Sequence, residues 1–212
     1  MMNYLSQDRL DISYAGKEIS RMMSAPGETD EQALKRIVRY LQGHKRMKCQ
    51  YLWQEPAPAL WIFTDSDWAG CTRTRRSTSG GVATLGGHWI GHWSRTQPTI
   101  ALSSGEAELN ASNLGASEGI GLKNIMRDLG DEVKLVVLED SSASIGIGSR
   151  EGTGRIKHLE TRQLWIQEKT TKGDLELKKI PRAANFADSL THNYTSVEAS
   201  TFFPKLGFEF CN

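Results

Sequence analysis

The sequence predicts an α/β domain built on a mixed sheet and preceded by two short helices. Three observations carry this. From residue 56 onward three strand-like runs follow one another with only turns or loops between them, a long helix comes next, and strands then alternate with helices. Hairpin-linked strands pair antiparallel and strands joined through a helix pair parallel, so the order βββαβαβα implies a mixed sheet with helices on its faces.

The leading segment reads as helical. Between Asp11 and Met23 the residues Ile12, Ala15, Ile19, Met22 and Met23 recur at three-to-four spacing, and Ala25-Pro26-Gly27 ends the run. A second helix follows from Thr29, with Thr29 or Asp30 as cap, Glu31 in the first turn, and Ala33, Leu34, Ile37, Val38 and Leu41 on one stripe. Two such helices are too small to bury a core alone. The first strand is Leu60 to Thr64, bounded by Pro58 and by Asp65-Ser66-Asp67. A polar, basic loop from Thr72 to Ser79 leads into Gly80 to Leu85 and His88 to Ser94, joined by Gly86-Gly87 as a hairpin turn. Trp89 and Trp93 share one face of that strand and read as core.

Ser103, with Glu106 three residues on, forms a capping box that opens a long helix to about Leu129. Its apolar positions are Ala107, Ala111, Leu114, Leu122, Ile125, Met126 and Leu129, and Gly130 ends it. Val133 to Glu139 is a Val- and Leu-rich strand, Ala143 to Gly148 a short helix or turn, Leu159 to Thr171 an amphipathic helix, Leu175 to Ile180 an alternating strand, and Ala184 to Thr191 a closing helix. The tail from Ser196 carries Phe202, Phe203, Leu206 and Phe208, enough apolar surface to dock.

The chain has 212 residues, 38% hydrophobic and 24% charged, which leaves room for one full domain plus an appendage, or for two small domains. No stretch approaches the roughly 18 consecutive apolar residues of a membrane span, and Met1 to Ser6 lacks the basic flank and apolar run of a signal peptide. Membrane and secreted readings are therefore disfavoured. Cys49, Cys71 and Cys211 are scattered and odd in number, which argues against a disulfide framework or a zinc site and fits a reducing compartment. A net charge of +1 gives no bulk reason to expect nucleic acid.

Several carboxylates fall at element ends, where open α/β sheets bind ligands. Asp65 ends the first strand, Asp140 ends the fourth, Glu106 and Glu108 lie in the first turn of the long helix, and Asp188 sits in the closing helix. Singly, each is what turn and cap preferences alone would place there. Converging, they would raise one another's pKa, a cost that divalent cations offset. Hard Mg²⁺ takes oxygen ligands, and two such ions about 4 Å apart can activate water and stabilise a leaving oxygen in phosphodiester hydrolysis.

The words of the sequence also resemble a known family. Thr64-Asp65-Ser66-Asp67-Trp68-Ala69-Gly70, Arg76-Ser77-Thr78-Ser79-Gly80 and Ala101-Leu102-Ser103-Ser104-Gly105-Glu106-Ala107-Glu108 resemble the RNase H domain of copia-type LTR retrotransposon Pol polyproteins. Leu138-Glu139-Asp140-Ser141-Ser142-Ala143, Lys157-His158-Leu159-Glu160-Thr161-Arg162 and Ala187-Asp188-Ser189-Leu190-Thr191 follow in the family's order. Asn3 to Ile12 and Leu34 to Leu41 resemble the end of the reverse transcriptase just upstream.

The resemblance implies an RNase H-like five-stranded sheet over 55–194, a helical remnant of the reverse transcriptase thumb or connection over 1–54, and a tail over 195–212. It implies an endonuclease that cuts the RNA strand of an RNA–DNA hybrid with two Mg²⁺ ions, which Mn²⁺ can replace. Asp65, Glu108, Asp140 and Asp188 match the family's catalytic, metal-binding carboxylates. Glu108-Leu109 fits the helix motif better than Glu106-Ala107, which leaves Glu106 as a cap, and Asp67 reads as a turn or supporting residue. Glu139 is expected to point to the opposite side of its strand from Asp140. Substrate contacts are implied for Arg73, Arg75, Arg76, Ser104, Ser141 and His158. The implied partners are the hybrid and the remainder of Pol, in a cytoplasmic retroelement particle with possible nuclear presence.

Some features depart from the pattern. The stretch 181–186 lacks the mobile histidine of many cellular RNases H, Glu160 stands where Asp is common, and Gly81 stands where an aromatic is usual, which predicts weaker packing of the second strand. Lys35, Arg36, Arg39, Lys45, Arg46 and Lys48 run without an intervening acid, and a solvated helix face explains them as well as phosphate contact does. Arg73, Arg75, Arg76 and Arg95 flank Asp65, and the loop arginines among them are read as phosphate-facing. The rival to an active nuclease is a catalytically silent retroelement fragment that keeps the fold, with no polymerase to supply its substrate.

Overall fold

A computed structural model describes residues 2–152 and 161–211. It divides into two compact units, Met1–Trp53 with His192–Asn212, and Gln54–Thr191.

In the first unit the helix expected over 11–23 is present but shorter, and a further helix and a 3₁₀ turn precede it. Helix α1 spans Met2–Asp8, a 3₁₀ turn covers Leu10–Ile12, and α2 covers Ser13–Ser20. The junction after α1 sits at Arg9, whose guanidinium donates to both Asp11 carboxylate oxygens at 2.8 and 2.6 Å and to the His44 carbonyl at 3.1 Å. Tyr40 Oη donates to the same carboxylate at 2.9 Å. Arg9 and Asp11 are both buried, so the pair must satisfy its own charge where the chain passes from one helix to the next. Helix α3 spans Glu28–Gly43, with Gly27 at its N-cap position donating its N–H to Asp30 at 2.9 Å. Strand β1 covers Arg46–Cys49.

The second unit carries the expected mixed sheet. Its strands are β2 (Ala59–Asp67), β3 (Thr78–Leu85), β4 (His88–Thr96), β5 (Lys134–Glu139) and β6 (Glu176–Lys179), in the spatial order β4-β3-β2-β5-β6. The first three pair antiparallel, and β5 and β6 join in parallel. Helix α4 spans Ser104–Asp128, α5 Ser142–Gly148 and α6 Trp165–Thr171. The closing segment is two 3₁₀ turns, Arg182–Ala184 and Asp188–Leu190, rather than a helix.

The contact face of α4 holds the expected Ala107, Ala111, Leu114, Leu122 and Met126, and departs from the expected stripe at its C-terminal end. Leu129 and Ile125 are largely exposed, while Ala107, Leu109, Ala111, Ser112, Gly115, Ala116 and Gly119 are buried. Small residues let the helix backbone approach the sheet: a Cβ on Gly115 would lie 2.3 Å from the Thr64 methyl, and one on Gly119 would lie 2.6 Å from Leu135. This close approach brings the first turns of α4 down to the end of β2.

Nor does Gly81 leave a gap. It pairs opposite Trp93, and a Cβ added there would lie 2.0 Å from the Trp93 ring, so the indole of β4 fills the space an aromatic on β3 would take. Restoring a ring by Gly81→Tyr is therefore expected to cost about 1–3 kcal/mol by overpacking. Urea unfolding of Gly81→Tyr, Trp93→Ser and the double variant tests this; the two changes should compensate in the double, and independent costs would refute the account.

Chain order ends in the first unit with α7 (Ser196–Phe202), a 3₁₀ turn at Phe203–Leu206 and β7 (Phe208–Cys211). Strand β7 pairs antiparallel with β1, Arg46 opposite Cys211 and Cys49 opposite Phe208. Phe203, Leu206 and Phe208 are buried, so the segment expected as a tail is docked.

Candidate metal centre

Strands β2 and β5 are parallel neighbours with Phe63 level with Leu138, so two residues further on Asp65 and Asp140 come level; Asp140 lies just past the end of β5, whereas Asp65, expected to end its strand, is still paired with Gly80 because pairing with β3 carries β2 on to Asp67. The capping of α4 adds the third carboxylate. Ser103 Oγ accepts the Glu106 N–H at 3.2 Å, Glu106 accepts the Leu102 N–H at 2.8 Å, and the Gln163 amide donates to Glu106 at 3.0 Å. Glu106 is thus spent on fixing the helix start, and Glu108 one turn in faces the strand ends. Asp65, Glu108 and Asp140 each offer an oxygen within 4.8 Å of the others. The centre of such a triangle is at most about 2.8 Å from each corner, so small side-chain adjustments reach the 2.0–2.1 Å of Mg²⁺–oxygen bonds.

The electrostatics show what this convergence costs. Burial, followed by the charges of Asp65, Asp140 and Glu139, pushes Glu108 up to about 9, and the nearby Ser66 hydroxyl offsets little of it. Asp65 is pushed up to about 6, chiefly by burial; the Thr191 hydroxyl, which donates to it at 2.7 Å, and Arg182 act in the opposite direction. Hard oxygen donors crowded against their own repulsion are the donor set a divalent cation takes.

The remaining expected site residues are placed as follows. Asp188 stands outside the triad; its Oδ1 accepts from Arg182 Nε at 3.2 Å and Nη2 at 3.1 Å. Asp67 accepts the Thr78 N–H and so organises the loop between β2 and β3. Arg73, Arg75 and Arg76 are exposed on that loop, where Ala69 and Arg75 take positive φ. Arg95 pairs with Glu118 at 2.6 Å. Ser104 is exposed at the start of α4, and Ser141 caps α5 by accepting the Ser144 N–H at 3.2 Å. His158 and Glu160 lie outside the described residues. Glu139 shares the face of Leu135 and Val137, wholly buried towards α4, where Ser112 donates to it at 2.9 Å. Burial pushes it up to about 7, against the Ser144 and Ser112 hydroxyls.

Sequence reasoning missed Arg182, whose one signal is that it is the cation nearest in sequence before Asp188. It also missed two polar anchors of the closing segment: Thr191 on Asp65, and Asn185, whose amide donates to the Thr64 carbonyl at 2.9 Å. Neither has a periodic signature.

No family model matches the chain. It is 34% identical over 185 residues to the retrovirus-related Pol polyprotein from transposon TNT 1-94 of Nicotiana tabacum, covering 86% of this chain and 14% of that protein. It is 29% identical over 209 residues to the Pol polyprotein from transposon RE1 of Arabidopsis thaliana, covering 97% and 14%. The chain thus spans about one seventh of these relatives. Among solved structures, RNase H1 from the archaeon Halobacterium salinarum aligns over 68% of this chain and 98% of its own, with a TM-score of 0.47 at 18% identity. In the described residues no helix is long and apolar enough to cross a membrane. The transposon relatives show the family: the chain belongs to the retrovirus-related Pol polyproteins of transposons, and its second unit is the mixed five-stranded sheet, flanked by helices, that the sequence predicts.

Proposed function

We propose that this chain is a metal-dependent endonuclease that hydrolyses the RNA strand of RNA–DNA hybrids as part of a Pol polyprotein. The observation that carries the reading is the convergence of Asp65, Glu108 and Asp140, from two parallel strands and a helix start. These three would hold divalent cations, Mg²⁺ or Mn²⁺, and Asp188 would join them. Cations bound there supply activation of water and stabilisation of the departing oxygen.

The protein's own groups supply placement. Thr191 and Asn185 fix the backbone around Asp188 against β2, while the Arg182 contact that holds its side chain is exposed and therefore weak. Asp188 can thus exchange partners without moving the fold. Ser104 and Ser141 present hydroxyls for the 2′-OH and phosphates that distinguish an RNA strand. In this reading residues 1–54 are the end of a reverse transcriptase, 55–194 the nuclease and 195–212 its tail, working in a cytoplasmic retroelement particle.

Arg73, Arg75 and Arg76 would neutralise phosphates. Replacing all three by Ala is expected to weaken hybrid binding without regard to sequence and to reduce the slope of log affinity against log salt by about 2–3. Filter binding across a salt series measures it; an unchanged slope removes the loop from the interface. For the reaction itself, the purified chain is incubated with labelled RNA–DNA hybrid, double-stranded RNA and double-stranded DNA, with Mg²⁺, Mn²⁺ or chelator. Metal-dependent cleavage confined to the hybrid supports the proposal. A folded protein that binds the metal and leaves every substrate intact supports the silent-fragment reading instead.

A further inference from the structure

We propose that Glu139 is a positioning residue, the end of a buried polar tie that runs behind the carboxylates and sets their spacing for a divalent cation. This rests on the metal-dependent reading of the same centre. The tie is Thr64, Ser112 and Glu139, one residue from each of β2, α4 and β5, the elements that place Asp65, Glu108 and Asp140. Thr64 and Glu139 immediately precede their carboxylates, and Ser112 lies one helical turn beyond Glu108. All three are at most 1% exposed.

The hydrogen bonds have one consistent direction. Ser112 Oγ donates to Glu139 Oε2 at 2.9 Å and lies 3.3 Å from Thr64 Oγ1. A hydroxyl has a single proton, so with Ser112 committed to the carboxylate, Thr64 donates to Ser112. Thr64 also accepts, through its carbonyl, the Asn185 amide at 2.9 Å, which extends the tie to the segment that carries Asp188. Four elements, each bearing one of the proposed ligands, are thus joined within hydrogen-bond distance directly behind the site.

The fold by itself does not call for a carboxylate here. Glu139 is wholly buried, and its Oε1 has no hydrogen-bond partner among the described residues, although the Ser144 hydroxyl lies near. An apolar side chain of similar bulk in such a place is commonly neutral or stabilising. A buried group that costs stability while joining the ligand-bearing elements has its use in the site.

The sign of two effects tests this in the full chain, with Glu139→Leu, Glu139→Gln and Ser112→Ala. In chelator, Glu139→Leu is expected to unfold at equal or higher urea than wild type. By calorimetric titration it should bind Mg²⁺ about 10–100-fold more weakly, the range for groups that orient metal ligands. Ser112→Ala should weaken Mg²⁺ in the same way. Glu139→Gln, which keeps the acceptor for Ser112, should restore binding to near the wild-type value. Wild-type affinity in Glu139→Leu overturns the proposal, and so does a Glu139→Gln that binds as poorly as Glu139→Leu, because that makes charge rather than placement the cause. A wild-type chain that binds no divalent cation fails at an earlier point, in the reading of the centre itself.

Discussion

Asp140→Asn is expected to abolish metal-dependent cleavage of the hybrid while raising the unfolding temperature of the metal-free protein. The two effects have one cause. Asp140 is a source of the repulsion that raises Glu108 and Asp65, so removing its charge relieves both. Asn keeps the shape but offers a neutral oxygen in place of one of three carboxylates. Loss of a group that merely orients a metal ligand costs about 10–100-fold, so loss of the ligand should cost at least about 100-fold in cleavage rate. The relief should appear as a few degrees in a thermal scan in chelator, at about 2–4 °C per kcal/mol for a chain of this size. Cleavage at wild-type rate would remove Asp140 from the site. A lowered midpoint would mean the three carboxylates do not oppose one another in the fold.

Metal-free protein should also lose stability as pH rises from about 5 to 9, and Mg²⁺ should restore it most at the upper end. Asp65, Glu139 and Glu108 are pushed up to about 6, 7 and 9. Unfolded, all three lose their protons near the ordinary carboxylate value of about 4. Between those limits the folded state binds more protons than the unfolded one, so stability falls with pH through each raised value. The groups act on one another and titrate as a set. Each tenfold difference in proton affinity between the folded and unfolded chain is worth about 1.4 kcal/mol, so the loss should reach several kcal/mol. A cation takes the place of the protons. At a concentration about 100 times its dissociation constant it adds about 2.7 kcal/mol. Urea unfolding at each pH, in chelator and in millimolar Mg²⁺, checks both curves; a metal-free stability that rises across this range would contradict the predicted repulsion.

Much of the fold is legible in local pattern. The Gly86-Gly87 turn, the Ser103/Glu106 cap and the alternation of strands and helices lie within a few residues of the elements they specify, and the mixed character of the sheet follows from them. The α4 face is legible in part: Ala107, Ala111, Leu114, Leu122 and Met126 meet the core as their spacing predicts, but Gly115 and Gly119 carry almost no hydrophobic signal, and Ile125 and Leu129 supply one that is exposed. Gly81 misleads for a related reason: the ring that covers it belongs to the neighbouring strand, well separated in sequence but opposite in register. Glu139 reads in sequence as a charged strand residue facing away from Asp140, and only the packing of α4 shows it wholly buried.

Short-range preferences, then, are sufficient to place the carboxylates near the ends of elements, because caps and turns are chosen by residues within one turn of chain; that β2 runs on past Asp65 to Asp67 is decided by its pairing with β3. Convergence is another matter. Asp65 and Asp140 meet because β2 and β5 pair in parallel with Phe63 level with Leu138, and Glu108 reaches them because glycines let α4 lie close on the sheet. Asp188, equally prominent in sequence, is not one of the three; it accepts from Arg182, close enough for its charge to act on Asp65. Register and interlayer distance are set by the sum of many long-range contacts, and no window of sequence contains that sum.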